Sequence, residues 1–109
     1  MITVFITYRI RAGVTRAEYE TWSRRVDQPL ASRQPGVVGY HIYYVENGAD
    51  GEEWADVVEV IEAESWEAWK KVNTYPEMIA AVDEWRSISV PESVRVVYGE
   101  RIDPEATTS

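Results

Sequence analysis

Two side chains in this 109-residue chain combine the type and the setting needed for proton chemistry, His41 and Asp27. His41 is the only histidine, and imidazole ordinarily titrates near pH ~6.5, where a group can both take and give a proton. It stands in Tyr40-His41-Ile42-Tyr43-Tyr44, with Tyr43 on its own strand face. Asp27 lies in Arg25-Val26-Asp27-Gln28-Pro29-Leu30, about 100° round a helix from Val26. From the shoulder of an apolar stripe, such a carboxylate can lean between helix and sheet. Burial there raises its pKa and fits it for acid or base work. The alternatives are a structural or interface histidine, and a solvated carboxylate paired with Arg24 or Arg25.

The walls for such a site are abundant. Five Trp and seven Tyr stand against one Phe. Both favoured types join a large apolar face to a hydrogen-bonding edge, which suits a flat, partly polar ligand, though they also suit a small core or a subunit interface. Tyr19, Trp22, Tyr40, Tyr43, Trp66, Trp69 and Trp85 are the candidate substrate-binding residues. Other chemistries lack their residues. There is no cysteine and a single histidine, so Glu62/Glu64 and Asp83/Glu84 read as solvated faces, with no metal site expected. No glycine-rich phosphate loop is present, so no nucleotide cofactor is expected, and Ser23 stands in no nucleophile elbow.

The elements that must position these groups follow from periodicity. Residues 2–10 alternate, Ile2, Val4, Ile6, Tyr8 and Ile10 against Thr3, Phe5, Thr7 and Arg9, which predicts a first strand. Thr15-Arg16-Ala17-Glu18 fits a capping box opening a helix whose stripe is Tyr19, Trp22, Val26 and Leu30. Pro29 and Gln34-Pro35-Gly36 bracket its end. Val37 to Val45 and Trp54 to Ile61 read as strands around the polar loop Glu46-Asn47-Gly48-Ala49-Asp50-Gly51. Ser65 caps a helix carrying Trp66, Trp69 and Val72. Pro76 interrupts it. A further helical segment follows with Met78, Ile79, Val82 and Trp85 inward, and Pro91 ends it. Val94 to Ile102 is a fourth strand. The order β-α-β-β-α-β is that of a ferredoxin-like α+β fold with an antiparallel four-stranded sheet, one domain over residues 1–102, with a mobile tail at 103–109.

Both faces of that sheet are apolar. Val38, Tyr40, Ile42 and Tyr44 oppose Val37, His41, Tyr43 and Val45, and Val57 and Ile61 oppose Val58 and Val60. Two short helices cover one face only. A second copy packed sheet to sheet would cover the other, which predicts a homodimer, a dimeric α+β barrel. Whether His41 faces the helices or that interface depends on strand parity.

Composition bounds the rest. With 45% hydrophobic and 28% charged residues the chain has a globular composition. Eleven basic residues against nineteen acidic give a net charge of −8, which argues against nucleic acid or an anionic membrane as partner. No stretch approaches the ~20 apolar residues of a membrane span. The opening Met-Ile-Thr-Val-Phe-Ile lacks the basic flank of a signal peptide, so a cytoplasmic location is expected.

The segment Tyr19-Glu20-Thr21-Trp22 through Val26-Asp27-Gln28-Pro29-Leu30-Ala31, followed by Pro35-Gly36-Val37-Val38-Gly39-Tyr40, resembles the RedY-like (HapK-like) proteins of prodiginine and bisindole alkaloid pathways. These are relatives of the EthD and antibiotic-monooxygenase groups of dimeric α+β barrels. EthD-type relatives carry a histidine where this chain has Asp27, so that histidine chemistry does not carry across. The resemblance implies a pathway enzyme acting without a bound cofactor on an aromatic, indole- or pyrrole-derived intermediate; the first expectation is a cofactor-independent cyclase, for which Asp27 and His41 are the candidate acid–base groups. It leaves two other outcomes open: a cofactor-free monooxygenase, and a non-catalytic protein that shields an unstable intermediate. Kinship of fold does not choose among them.

Overall fold

The computed structural model describes residues 1–106; residues 107–109, the end of the expected tail, lie outside it. Strand β1 (Ile2–Ile10) has the bounds its alternation predicts. Val4 and Tyr8 are buried on one face, while Phe5 and Arg9 are exposed on the other. Helix α1 (Arg16–Trp22) opens on the expected capping box. Thr15 Oγ1 accepts from the Glu18 N–H, and the Glu18 carboxylate accepts from the Thr15 N–H.

The helix then does something that a reading at 3.6 residues per turn does not anticipate. Ser23–Asp27 forms a π-helical turn, closed by the Gln28 N–H on the Ser23 carbonyl, and α2 (Gln28–Ser32) continues from it. Pro29 therefore does not end the helix. Proline lacks an N–H and its ring presses on the carbonyl four residues back, that of Arg25; a widened turn accommodates both. The extra residue in the turn slows the rotation, so Tyr19, Ser23, Asp27 and Ala31 form one buried line. Asp27 thus lies in the inward seam rather than at its shoulder, and Trp22, Val26 and Leu30 flank it, half-buried.

β2 (Val37–Tyr44) and β3 (Val57–Ala63) pair antiparallel, and β4 (Ser89–Gly99) completes an antiparallel sheet in the order β2-β3-β1-β4. An extra residue in β2, at Val38, shifts the register between Val37 and Gly39. Val37 and Tyr40 consequently both pack on the core, whereas simple alternation separates them. Val38, expected to share the Tyr40 face, is 58% exposed. The third strand starts later than expected, leaving Trp54 exposed outside it. Pro91 lies inside β4, which is an edge strand where its missing N–H breaks no central ladder, and Ile102 falls beyond the strand.

α3 (Trp66–Val72) has the Ser65 cap, Oγ accepting from Ala68 N–H. α4 (Pro76–Ile88) starts with proline in its first turn, where no N–H is needed. Its inward residues include Met78 and Ala81; Ile79, expected inward, is exposed. Among the described residues no helix is long and apolar enough to cross a membrane. Val57, Glu59, Ile61 and Ala63 of β3 face the helices and are buried.

One glycine anchors the entry to β2. Gly36 has φ +85°, its carbonyl accepts the Glu64 N–H, and a Cβ there would lie 3.0 Å from the Ala68 Cβ. Gly13 has φ +93° but open space around it. Gly13→Ala is expected to cost roughly 1–2 kcal/mol for the left-handed backbone alone. Gly36→Ala carries the same strain plus the clash, so its urea midpoint should fall further. Equal losses would show that the Gly36 crossing is not tight.

Candidate active site

A cavity of about 170 Å³ lies between the sheet and the helices. Its sheet side is Ile6 and Tyr8 of β1, Tyr40 of β2, Glu59 of β3, and Val94 and Val96 of β4. Trp69 and Asn73 close it from α3 and the residue after it, and Met78, Ala81, Val82 and Trp85 from α4. Asp27 enters from the π turn. Val96 lines the cavity and is 44% exposed, which places the mouth along β4.

The polar groups in this apolar shell form one connected chain. The Tyr40 hydroxyl lies 3.0 Å from Asp27 Oδ2 and 3.2 Å from Glu59 Oε1. The Tyr8 hydroxyl donates to Glu59 Oε2 at 2.8 Å and lies 2.5 Å from the Tyr19 hydroxyl. Each hydroxyl has one proton, which orders the chain. Because Tyr8 donates to Glu59, Tyr19 donates to Tyr8. If Tyr40 donates to Asp27, a proton on Glu59 Oε1 can donate to the Tyr40 oxygen. Asp27 uses Oδ2 for this bond, so Oδ1 remains for a ligand.

The two carboxyls are both held above the ordinary range. Burial pushes Glu59 up to about 8, and the negative charge of Asp27 adds to the shift, while its bonds from Tyr8 and Tyr40 oppose it. Burial pushes Asp27 up to about 6, opposed by the bond from Tyr40. Burial and the charge between them thus favour a pair that keeps a proton near neutrality, Glu59 being the more strongly raised partner. Burial, and then the charge of Glu59, push the Tyr8 and Tyr40 hydroxyls far up, and burial does the same to Tyr19, so all three stay protonated. Buried carboxyl, tyrosine and buried carboxylate in sequence make an arrangement that can deliver a proton at one end and accept one at the other.

The expected site residues separate into three groups. Asp27, Tyr40, Trp69 and Trp85 line the cavity. Tyr19, Trp22 and Trp66 do not. Tyr19 stands behind Tyr8 as the end of the hydroxyl chain. Trp22 packs 6.2 Å from Tyr19 and its indole N–H donates to Glu84 at 2.9 Å. Trp66 stacks on Tyr98 at 4.0 Å and 6°. His41 and Tyr43 lie exposed on the opposite face of the sheet, because strand parity gives the helix side to Tyr40, Ile42 and Tyr44. The proposed pairing of Asp27 with His41 is therefore not formed within one chain. The alternative for Asp27 as an arginine partner is not observed either: Arg24 reaches Glu20, at 3.7 Å.

Glu59 and Tyr8 are the cavity groups that sequence reasoning passed over. The signal existed. Val57 and Ile61 on the inward face oblige Glu59 between them to point inward too, as Val4 and Ile6 oblige Tyr8. Among the described residues no cluster of three or more His, Asp or Glu side chains could hold a metal ion.

Between the ordinary carboxyl range and the raised values, the folded chain keeps protons that the unfolded chain releases. Stability contributed by this pair therefore falls as pH rises through about pH 4 to 8. Glu59→Gln keeps a donor toward Tyr40 and an acceptor for Tyr8 without a charge. Its stability relative to wild type should rise across that window and level off above it, by urea denaturation in a buffer series. A pH-independent difference would contradict the shared proton.

Among curated proteins none matches the sequence. Several solved structures match the fold. The crystal structure of HapK from Hahella chejuensis is 17% identical with a TM-score of 0.79, covering 100% of both chains. An ethyl tert-butyl ether D (EthD) family protein from Bacillus halodurans is 13% identical, with a TM-score of 0.73 over 94% of this chain and 99% of that one. SnoaB, a cofactor-independent oxygenase from Streptomyces nogalater, is 14% identical, with a TM-score of 0.72 over 94% of each chain. At these identities the likeness concerns the fold, a ferredoxin-like α+β arrangement. The sequence itself goes further: it fits the family profile described as REDY-like protein HapK over residues 2–102, and the chain belongs to that family.

Proposed function

We propose that this protein is a cofactor-independent cyclase of secondary metabolism acting on an aromatic intermediate, indole- or pyrrole-derived and of bisindole or prodiginine type. The observation that carries this reading is the Asp27–Tyr40–Glu59 chain set into a cavity walled by Trp69 and Trp85. Electron-rich heteroaromatic rings close by attack of a ring carbon on an electrophilic carbon. That step needs a proton supplied to the heteroatom of the electrophile and a proton removed from the ring carbon that attacked, which restores its aromaticity. Tyr40 turns its one proton from Asp27 to that heteroatom and takes its replacement from Glu59, and Asp27, released from the bond, is the base; the proton it gains returns to Glu59 through Tyr40 once product leaves. The protons balance and no redox step is involved. Holding the folded conformer between the sheet and the two tryptophans supplies orientation, which in ideal intramolecular systems is worth ~7–11 kcal/mol, and acid–base assistance adds ~10²–10⁴-fold. The name of SnoaB supports a second reading, a cofactor-independent oxygenase using the same cavity and the same base.

The reading includes a homodimer. Val38 and Val97 are 58% and 66% exposed on the outward sheet face, beside Phe5, His41 and Tyr43, and ferredoxin-like neighbours from Bacteroides fragilis and Thermobifida fusca are described as dimeric. A second copy covering that face would bury more than ~1,200 Å² in total and put His41 in the interface.

Sedimentation equilibrium at micromolar concentration should give twice the 12.5 kDa chain mass; a monomer would overturn the dimer. With an indolic or pyrrolic substrate in hand, Asp27→Asn and Glu59→Gln should each lower turnover at least ~100-fold while remaining folded and dimeric at the assay pH. His41→Phe should leave turnover per dimer unchanged. Full product yield from both carboxyl variants would turn the reading toward a protein that only shields its ligand. Oxygen uptake in step with product would establish the oxygenase instead.

A further inference from the structure

Every charged group lining the cavity is acidic. Among the described residues its ionisable side chains are Asp27, Glu59 and the Tyr8 and Tyr40 hydroxyls, none of them basic, and Asn73 adds a neutral amide. The basic side chains whose ion pairs are formed lie elsewhere: Arg16 with Glu20 and Glu46, Arg24 with Glu20, Arg101 with Asp103. An anion entering the cavity would lose its hydration and meet a carboxylate with no cation to offset it. A ligand with an N–H donor or a positive charge meets the opposite situation. It can bond to Asp27 Oδ1 beside Trp69 and Trp85, and aromatic walls suit a flat cation.

We infer that the cavity selects by charge, taking a flat N–H heterocycle that is neutral or carries a protonated amine or imine and refusing one that carries a carboxylate or phosphate. This deepens the reading of the cavity as the substrate site and rests on it.

Four titratable groups bear on this behaviour: Asp27 from the π turn, Tyr40 from β2, Glu59 from β3 and Tyr8 from β1. The tyrosines stay neutral across the accessible range and Glu59 releases its proton after Asp27 does. Affinity for a cation should therefore grow as pH rises through the titration of Asp27 and again through that of Glu59.

Three probes share one ring and differ in charge: tryptamine, indole and indole-3-acetate. Isothermal titration of the full chain should be run in about 0.3 M salt, which screens the long-range pull of the net charge of −8. Tryptamine should bind at least ~10-fold more tightly than indole-3-acetate at pH 7, with indole between them, a difference of about 1.4 kcal/mol. The preference should shrink at pH 5 and collapse in Asp27→Asn. Equal binding of all three probes, or a preference that survives intact in a folded Asp27→Asn, overturns the charge selection while leaving the cavity as a binding site. Binding of none of them overturns the site reading and this inference together. Should Asp27→Asn fail to fold, the wild-type comparison across pH decides alone.

Discussion

A carboxyl group taken out of water with no cation beside it either keeps its proton or destabilises the fold, and Glu59 is in that position. It stands on the inward face in the middle of β3, between Val57 and Ile61, and is buried. What makes it tolerable is local. Tyr8 from the neighbouring β1 and Tyr40 from the neighbouring β2 put hydroxyls on its two oxygens. The same residues then fix what surrounds them. Tyr19 must donate to Tyr8, and Asp27 accepts from Tyr40 at the far end. No buried side-chain nitrogen or oxygen among the described residues is left without a partner. The cavity walls can be apolar because this chain of four groups absorbs the polarity of the fifth.

The helix that carries Asp27 is shaped by the same requirement. Its π turn brings Tyr19, Ser23, Asp27 and Ala31 into line, so both ends of the hydrogen-bonded chain, Tyr19 and Asp27, come from one helix, eight residues apart in its buried seam. Pro29 gives the turn a covalent cause: the helix cannot form the ordinary bond at that residue. A device that looks like helix damage is thus what aims a carboxylate into the cavity.

Much of this was legible in the residues. β1, the capping box at Thr15 and Glu18, the Ser65 cap and the β-α-β-β-α-β order follow from alternation and capping chemistry. The errors have physical reasons. Pro29 and Pro91 read as terminators, but the first widens a turn and the second sits on an edge strand. The Val38 bulge reverses parity at the start of β2, which alternation alone does not show. In the site, Asp27 and Tyr40 were recognisable because a helix shoulder and a tyrosine-rich strand attract notice. Glu59 was not, because an apolar run hides its one charged member unless face parity is followed through it. His41 attracted notice by chemistry alone, and parity sends it to the other side of the sheet.

The central claim is that Asp27 and Glu59 share one proton inside the cavity near neutral pH. Carbon-13 NMR titration of the protein labelled at its Asp and Glu side-chain carboxyls, with Asp27→Asn and Glu59→Gln to assign the two signals, tests it directly. The account predicts one glutamate carboxyl titrating at about 8 and one aspartate at about 6, the glutamate moving down in Asp27→Asn. Two independent titrations in the ordinary carboxyl range, near ~4, would contradict it.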